Sequence, residues 1–291
     1  MQDGGGSATA DGAALRDADS ATSPSSTDYG AKGPFGDAKM FPDAGPDGTY
    51  FVFRPDTSLG RDGFKHPIGV WGNGIGTTPD LYQVLLGHIA SHGFVIVACP
   101  DITAEEPCLN TGLEWLAQQN TGTGPLAGKL DVSKEFALGF SWGGGAAIDV
   151  SKRPNIKATI SVHGMPPRNN PWLSLHAPLA LFSGKGDWIV GADGPVTENY
   201  DNAMVPTFFA TMQTDSPGHM FAMDPESAPC KDGTAEAIGA GPCTGAREEQ
   251  APIVAWLHYW ISGDQNARSY FYGDDCKLCN SMWKVQRKNW K

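Results

Sequence analysis

Residues 136–148 read FALGFSWGGGAAI, and their reading decides the fold. Phe136-Ala137-Leu138-Gly139-Phe140 is a short, continuous apolar run, as a strand covered on both faces requires. It leads without a break into Gly139-Phe140-Ser141-Trp142-Gly143, a G-x-S-x-G pattern. The small residues Gly144-Gly145-Ala146-Ala147 follow and suit a helix packed tightly on a sheet. Strand, sharp turn and helix in that order form a nucleophile elbow, with the serine at the tip of the turn. The flanking glycines let the backbone turn sharply and hold Ser141 in a strained, exposed position. A Gly-rich βα turn without chemistry carries the same bare motif, so the weight rests on the context and on partner residues elsewhere.

Working outward, the same alternation recurs. Further apolar runs predict strands at Tyr50–Arg54, Ile68–Trp71, Phe94–Ala98, Ala158–Val162, Leu179–Phe182 and Thr207–Thr211. Amphipathic segments between them predict helices near Asp80–Ser91, Leu113–Gln119, Gly144–Ser151 and Glu198–Ala203. A last helix near Glu249–Ser262 ends at Gly263, a suitable C-cap. Strands alternating with helices make an α/β fold with a doubly wound, mostly parallel sheet. No internal repeat and no second folded domain are visible.

A nucleophilic serine needs a base, and the base needs an orienting carboxylate. In a strand–elbow–helix fold of this kind the chain order is serine, acid, histidine, each past the end of a strand. Asp187 lies just beyond the strand Leu179–Phe182, and His219 beyond Thr207–Thr211. Asp193 and Asp215 are rival acids, but neither directly follows a buried strand. The other histidines suit the order less well. His66, His88 and His92 precede the serine, His163 and His176 precede Asp187, and His258 lies within the last helix. The oxyanion of such a reaction needs two backbone N–H donors. Trp142 follows the nucleophile, and Ile75 lies in the loop Gly72-Asn73-Gly74-Ile75-Gly76 after the strand Ile68–Trp71. No Gly-Lys-Ser/Thr ends this loop, which argues against a phosphate cradle.

Composition sets the outer limits. The chain has 291 residues and a net charge of −11, which excludes a nucleic-acid backbone as an expected partner. No apolar stretch of about 18 residues predicts a membrane-spanning helix. Hydrophobic residues make up 40 %, enough for a full core. Residues 1–29 hold almost no large apolar side chain and read as a Gly/Ala/Ser/Asp linker; residues 30–291 read as one domain. The six cysteines fall into the local pairs Cys99/Cys108, Cys230/Cys243 and Cys276/Cys279. Three disulfides and an oxidising compartment are expected, so the protein should be secreted or held at the cell surface, its signal removed. Cys276 retains other pairing options, because a C-x-x-C ring is tight. The segment Asp224–Arg247 reads as an insertion between His219 and the last helix.

Four stretches resemble the secreted bacterial cutinases and polyester hydrolases, including those acting on poly(ethylene terephthalate). They are Ile68–Val97 (IGVWGNGIGTTPDLYQVLLGHIASHGFVIV), Gly128–Gly145 (GKLDVSKEFALGFSWGGG), Ala177–Asp187 (APLALFSGKGD) and Val254–Cys276. The resemblance implies an α/β-hydrolase fold and carboxylic-ester hydrolysis through Ser141, Asp187 and His219, with Ile75 and Trp142 at the oxyanion. The expected reaction requires no metal and no organic cofactor. The family usually has Tyr or Phe at Ile75, Met at Trp142 and Trp near Met165. The aromatic platform is therefore expected to be reduced here, or moved to Trp142, Trp71 and Trp188.

The short intervals between Ser141, Asp187 and His219 leave no room for a cap domain. An open groove is expected, lined by Ile75, Trp142, Met165, Trp188 and Ile189, on a monomeric enzyme that takes bulky or polymeric esters. A small-molecule esterase or acyltransferase with the same triad is the alternative within enzymes. A binding protein that kept the fold without the chemistry is the alternative outside them.

Overall fold

The computed structural model describes residues 28–214, 218–237 and 241–290. Its strands in chain order are β1 (Ala38–Ala44), β2 (Tyr50–Pro55), β3 (His66–Gly72), β4 (Val95–Ala98) and β5 (Leu130–Phe140). β6 (Ile156–Val162), β7 (Leu179–Gly184), β8 (Thr207–Met212) and β9 (Trp283–Lys288) complete them. They form one sheet in the order β1-β2-β4-β3-β5-β6-β7-β8-β9. The six central strands, β4 to β8 in that order, run parallel. The outer strands β1, β2 and β9 pair antiparallel. The expected strands are all present, several of them longer than their apolar runs.

β1 and β9 were not expected, and the reason is physical. Both are edge strands with mostly half-exposed or exposed side chains, so neither carries an apolar run. β1 contains Pro42, and β9 carries Lys284, Arg287 and Lys288. Pro and Lys on an edge discourage pairing with a further chain.

Helices cover both faces. They are α1 (Gln83–Ser91), α2 (Glu106–Gln119), α3 (Trp142–Val150), α4 (Thr197–Asn202), α5 (Ala228–Lys231), α6 (Thr234–Ala237) and α7 (Arg247–Leu257). α2 begins seven residues before the expected start at Leu113, with Pro107 in its first turn, a position where proline's missing N–H costs nothing. The strands divide their side chains between two cores with period two. Trp71, Ile96, Leu138 and Phe140 join Leu85, Ile89 and Trp256 on one face. Val70, Val97 and Ala137 join Leu113, Ala147 and Val150 on the other. α7 runs into a π-type turn, His258–Ser262, and stops at Gly263, whose φ of 71° is the left-handed cap expected from the sequence.

The three disulfides link Cys99 to Cys108, Cys230 to Cys243 and Cys276 to Cys279. Tyr29, assigned above to the linker, is instead buried. Its hydroxyl donates to Asp264 Oδ2 at 2.7 Å, and His88 bonds its carbonyl. Tyr29 therefore belongs to the folded part of the chain. The rest of that segment, residues 1–27, lies outside the described residues, as does Asp215.

Candidate active site

The C-terminal edge of a parallel sheet is where α/β folds gather their functional groups. Here β3, β5, β6, β7 and β8 lie side by side. Their ends deliver, in spatial order, the Gly72–Gly76 loop, Ser141, His163, Asp187 and His219.

Ser141 sits between β5 and α3 with φ 55° and ψ −118°, a conformation most side chains avoid. The surroundings hold it there. Its N–H donates to Val162 O at 3.0 Å, and its carbonyl accepts from the N–H groups of Gly144 and Met165, each at 3.0 Å. The flanking glycines are required by contact. A Cβ on Gly143 would come within 2.1 Å of Gly72 O, and one on Gly139 within 2.2 Å of Gly143 O. Both clashes are with backbone, which cannot turn aside. Gly143→Ala should therefore abolish soluble, active enzyme. Expression yield and the melting temperature check this, and a variant as stable as wild type would contradict it.

The elbow brings the expected residues together. Ser141 Oγ lies 2.9 Å from His219 Nε2, and His219 Nδ1 lies 2.9 Å from Asp187 Oδ2. With Nδ1–H donating to the carboxylate, Nε2 is left to accept the serine proton. The other carboxylate oxygen, Oδ1, accepts the N–H groups of Ile189 at 2.9 Å and Val190 at 2.8 Å, which fix its orientation. Phe140 supports the His219 ring at 4.9 Å between centroids. Asp193, the rival acid, lies in the turn Ala192–Val196.

His163 was set aside on chain order, yet it belongs to the same cluster. Its Nδ1 donates to Asp187 Oδ2 at 2.6 Å, the oxygen His219 also uses. Its Nε2 lies 3.6 Å from Oε1 of Glu249 on α7, a close charge contact longer than a hydrogen bond. All three side chains are inaccessible to solvent. Burial opposes charge on His163, but attraction to Asp187 and Glu249 outweighs it and lifts the imidazole to about 9. Burial would likewise raise Asp187, yet the two imidazoles hold it well below the usual carboxylate range. Burial pushes Glu249 up, against the pull of His163. A signal was present in the sequence: His163 is the first residue after an apolar strand that must lie beside the elbow strand.

The Gly72–Gly76 loop lies against the serine. A Cβ at Gly74 would stand 3.4 Å from Ser141 Cβ. The backbone N–H groups of Ile75 and Trp142 donate to no acceptor among the described residues. Ile75 is 58 % exposed and Trp188 66 %, so apolar surface is open to solvent beside the cluster, with Ile189 also exposed. Trp142 and Met165 are half-buried. The guanidinium of Arg168 covers one face of the Trp142 ring at 3.3 Å, so that face is closed to a ligand. Trp71 contributes nothing here. It is fully buried and packs on Tyr82 at 5.0 Å, so the platform does not include it.

The segment expected to be an insertion begins at Asp224, which is buried and accepts the N–H of Val84 at the start of α1. Its return leg, Thr244–Ala246, bonds Phe221 O and Met223 O, next to the turn that holds His219. Two groups have metal-ligand spacing among the described residues: Cys99/Asp101/Cys108 and His163/Asp187/His219. The first is closed, because its two sulfurs are bonded to each other. In the second both Nδ1 atoms already engage Asp187. No helix among the described residues is long and apolar enough to cross a membrane.

Comparison with known proteins agrees with this arrangement. No curated protein matches the chain. Residues 82–282, however, match the family model PETase, described as PET hydrolase-like. The matched span holds the elbow, Asp187, His219, His163 and the insertion. With most of its length matched and the sheet, helices and elbow of an α/β-hydrolase, the chain belongs to the PET hydrolase-like family of ester hydrolases.

Proposed function

We propose that the protein is a secreted serine carboxylic-ester hydrolase of the cutinase and polyester-hydrolase type. The observation that carries this reading is the unbroken hydrogen-bond chain Ser141–His219–Asp187 beside two backbone N–H groups that have no acceptor among the described residues. Ser141 Oγ attacks the ester carbonyl while His219 Nε2 takes its proton. Asp187 holds the imidazole tautomer and stabilises the imidazolium. The N–H groups of Ile75 and Trp142 receive the tetrahedral oxyanion, and the alcohol leaves with the proton from His219. Water then adds to the acyl-enzyme by the same route and releases the acid. No step calls for a metal or an organic cofactor.

The apolar side chains Ile75, Met165, Trp188 and Ile189 suit a bulky acyl or aryl group. The short chain between Ser141 and Asp187 provides no cap, so a polymer segment can approach from the side. The three disulfides support an oxidising, extracellular setting.

Turnover of a panel of p-nitrophenyl esters of increasing acyl length, together with a cutin and an aromatic polyester film, tests this. Release of acid from at least one polymer is the expected result. Turnover of short esters alone would restrict the enzyme to small molecules. No hydrolysis of any ester would leave a binding protein on an α/β-hydrolase frame and overturn the proposal.

A further inference from the structure

The proposed reaction has no task for His163, yet the fold spends three unusual features on it. Its φ is 47°, in the left-handed region that a histidine seldom occupies. It gives the shortest hydrogen bond in the cluster, 2.6 Å to Asp187 Oδ2. Behind it, the fully buried Glu249 has no hydrogen bond to either carboxylate oxygen among the described residues, and His163 Nε2 has none either. Burying an unpaired carboxylate is costly, and an apolar pair would fill the same space more cheaply. Glu249 and His163 therefore make sense only together, as a close charge contact on the Nε2 side with Nδ1–H directed at Asp187.

The groups facing His163 are few. Asp187 comes from the loop after β7, and Glu249 from α7, with Glu248 beside it acting on Glu249. His219 comes from the loop after β8, its ring centroid 6.3 Å away. Phe221, whose ring centroid lies 4.5 Å from that of His163, does not titrate. Asp187 Oδ2 thus divides its accepting capacity between two imidazoles, while only one of them can reach Ser141.

Resting on the triad assigned above, we propose that His163, braced by Glu249, is a positioning residue that shares Asp187 with His219, so that the carboxylate grips the His219 imidazolium less tightly and turnover persists to lower pH. Asp187 is also held from two sides, which fixes its plane as well as its charge. A triad carboxylate bound to one imidazole alone would stabilise the protonated, inactive base more strongly.

The test replaces both partners at once, His163→Phe with Glu249→Met, so that no buried charge is stranded. The readout is the pH dependence of kcat/KM on a p-nitrophenyl ester. In the wild type the rate should rise with pH through a single midpoint, as a general-base reaction requires. In the double variant that midpoint should move up by about one pH unit. A purely structural role would lower the melting temperature and the rate at every pH and leave the midpoint in place; an unmoved or lowered midpoint overturns the proposal.

If the variant does not fold, proton NMR of the wild type decides. Two slowly exchanging imidazole N–H resonances far downfield are expected, one of which survives in His219→Ala. A single resonance, lost in His219→Ala, overturns the proposal. Loss of turnover in Ser141→Ala with an unmoved midpoint in the double variant would defeat this inference alone. Retained turnover in Ser141→Ala would defeat the triad itself.

Discussion

Ser141→Ala should lower ester turnover by on the order of a million-fold and leave the fold intact. The magnitude follows from what is lost. The hydroxyl is the single atom in line with His219 Nε2, at 2.9 Å, and no described serine, threonine or cysteine stands in for it. The two backbone N–H groups and the apolar surface remain, so a residual rate over water of roughly a thousand-fold is expected from them alone. Stability should barely change. Alanine accepts the same positive φ with the strain that serine already bears, and the backbone bonds to Val162, Gly144 and Met165 do not involve the side chain. Steady-state hydrolysis with a melting curve on the same sample checks both halves. Turnover within about tenfold of wild type would refute the nucleophile assignment.

Acid should destabilise the protein well before its carboxylates protonate, because several histidines are buried in the neutral form. His66 accepts the Gly60 N–H at Nε2 and holds Gly93 O through Nδ1, so a second ring proton would break the first bond. His92 bonds Ala31 O through Nε2, and its buried Nδ1 has no partner. His258 is packed among Tyr29, His92 and Phe94. Burial pushes His66 and His258 down to about 4 and His92 to about 3, from an ordinary 6.5.

The unfolded chain therefore binds more protons between pH 6.5 and those values, and stability falls as pH falls through that window. At pH 5 each such histidine has cost about 2 kcal/mol relative to pH 7. Asp224 works the other way. Burial raises it to about 6, so its protonation below that pH favours the folded state. His163, raised to about 9, adds stability that is complete below 6.5 and lost as pH rises through 9.

The net expectation is a stability maximum near neutrality and a melting temperature lower by on the order of 10 °C at pH 5. His258→Phe isolates one contribution. The ring it introduces fits an aromatic cluster and cannot titrate, so the loss between pH 7 and pH 5 should shrink by about 2 kcal/mol. Melting curves of both proteins across that range decide it, and parallel curves would show that His258 is not buried neutral.

Much of the site was readable because its signals are local. A strand buried on both faces must be a continuous apolar run, and an elbow must be flanked by residues without a Cβ. Those two constraints place Ser141, and the ends of the next apolar runs place Asp187 and His219 without any long-range contact. The α/β class follows from the same alternation. What the tertiary structure decided was pairing. β1 and β9 are strands because β2 and β8 offer free edges to them, not because of their own composition.

Trp71 is a core residue because period two turns it away from Val70 and onto Tyr82, which an isolated reading of an apolar run does not resolve. Tyr29 is held by His88 and Asp264, 59 and 235 residues away. His163 precedes Asp187 in chain order, and Glu249 opens a predicted helix; neither position alone marks a site. They become a unit only because β6 lies between β5 and β7 while α7 packs behind it, and a charge pair formed across that distance in sequence leaves no periodic trace in either segment.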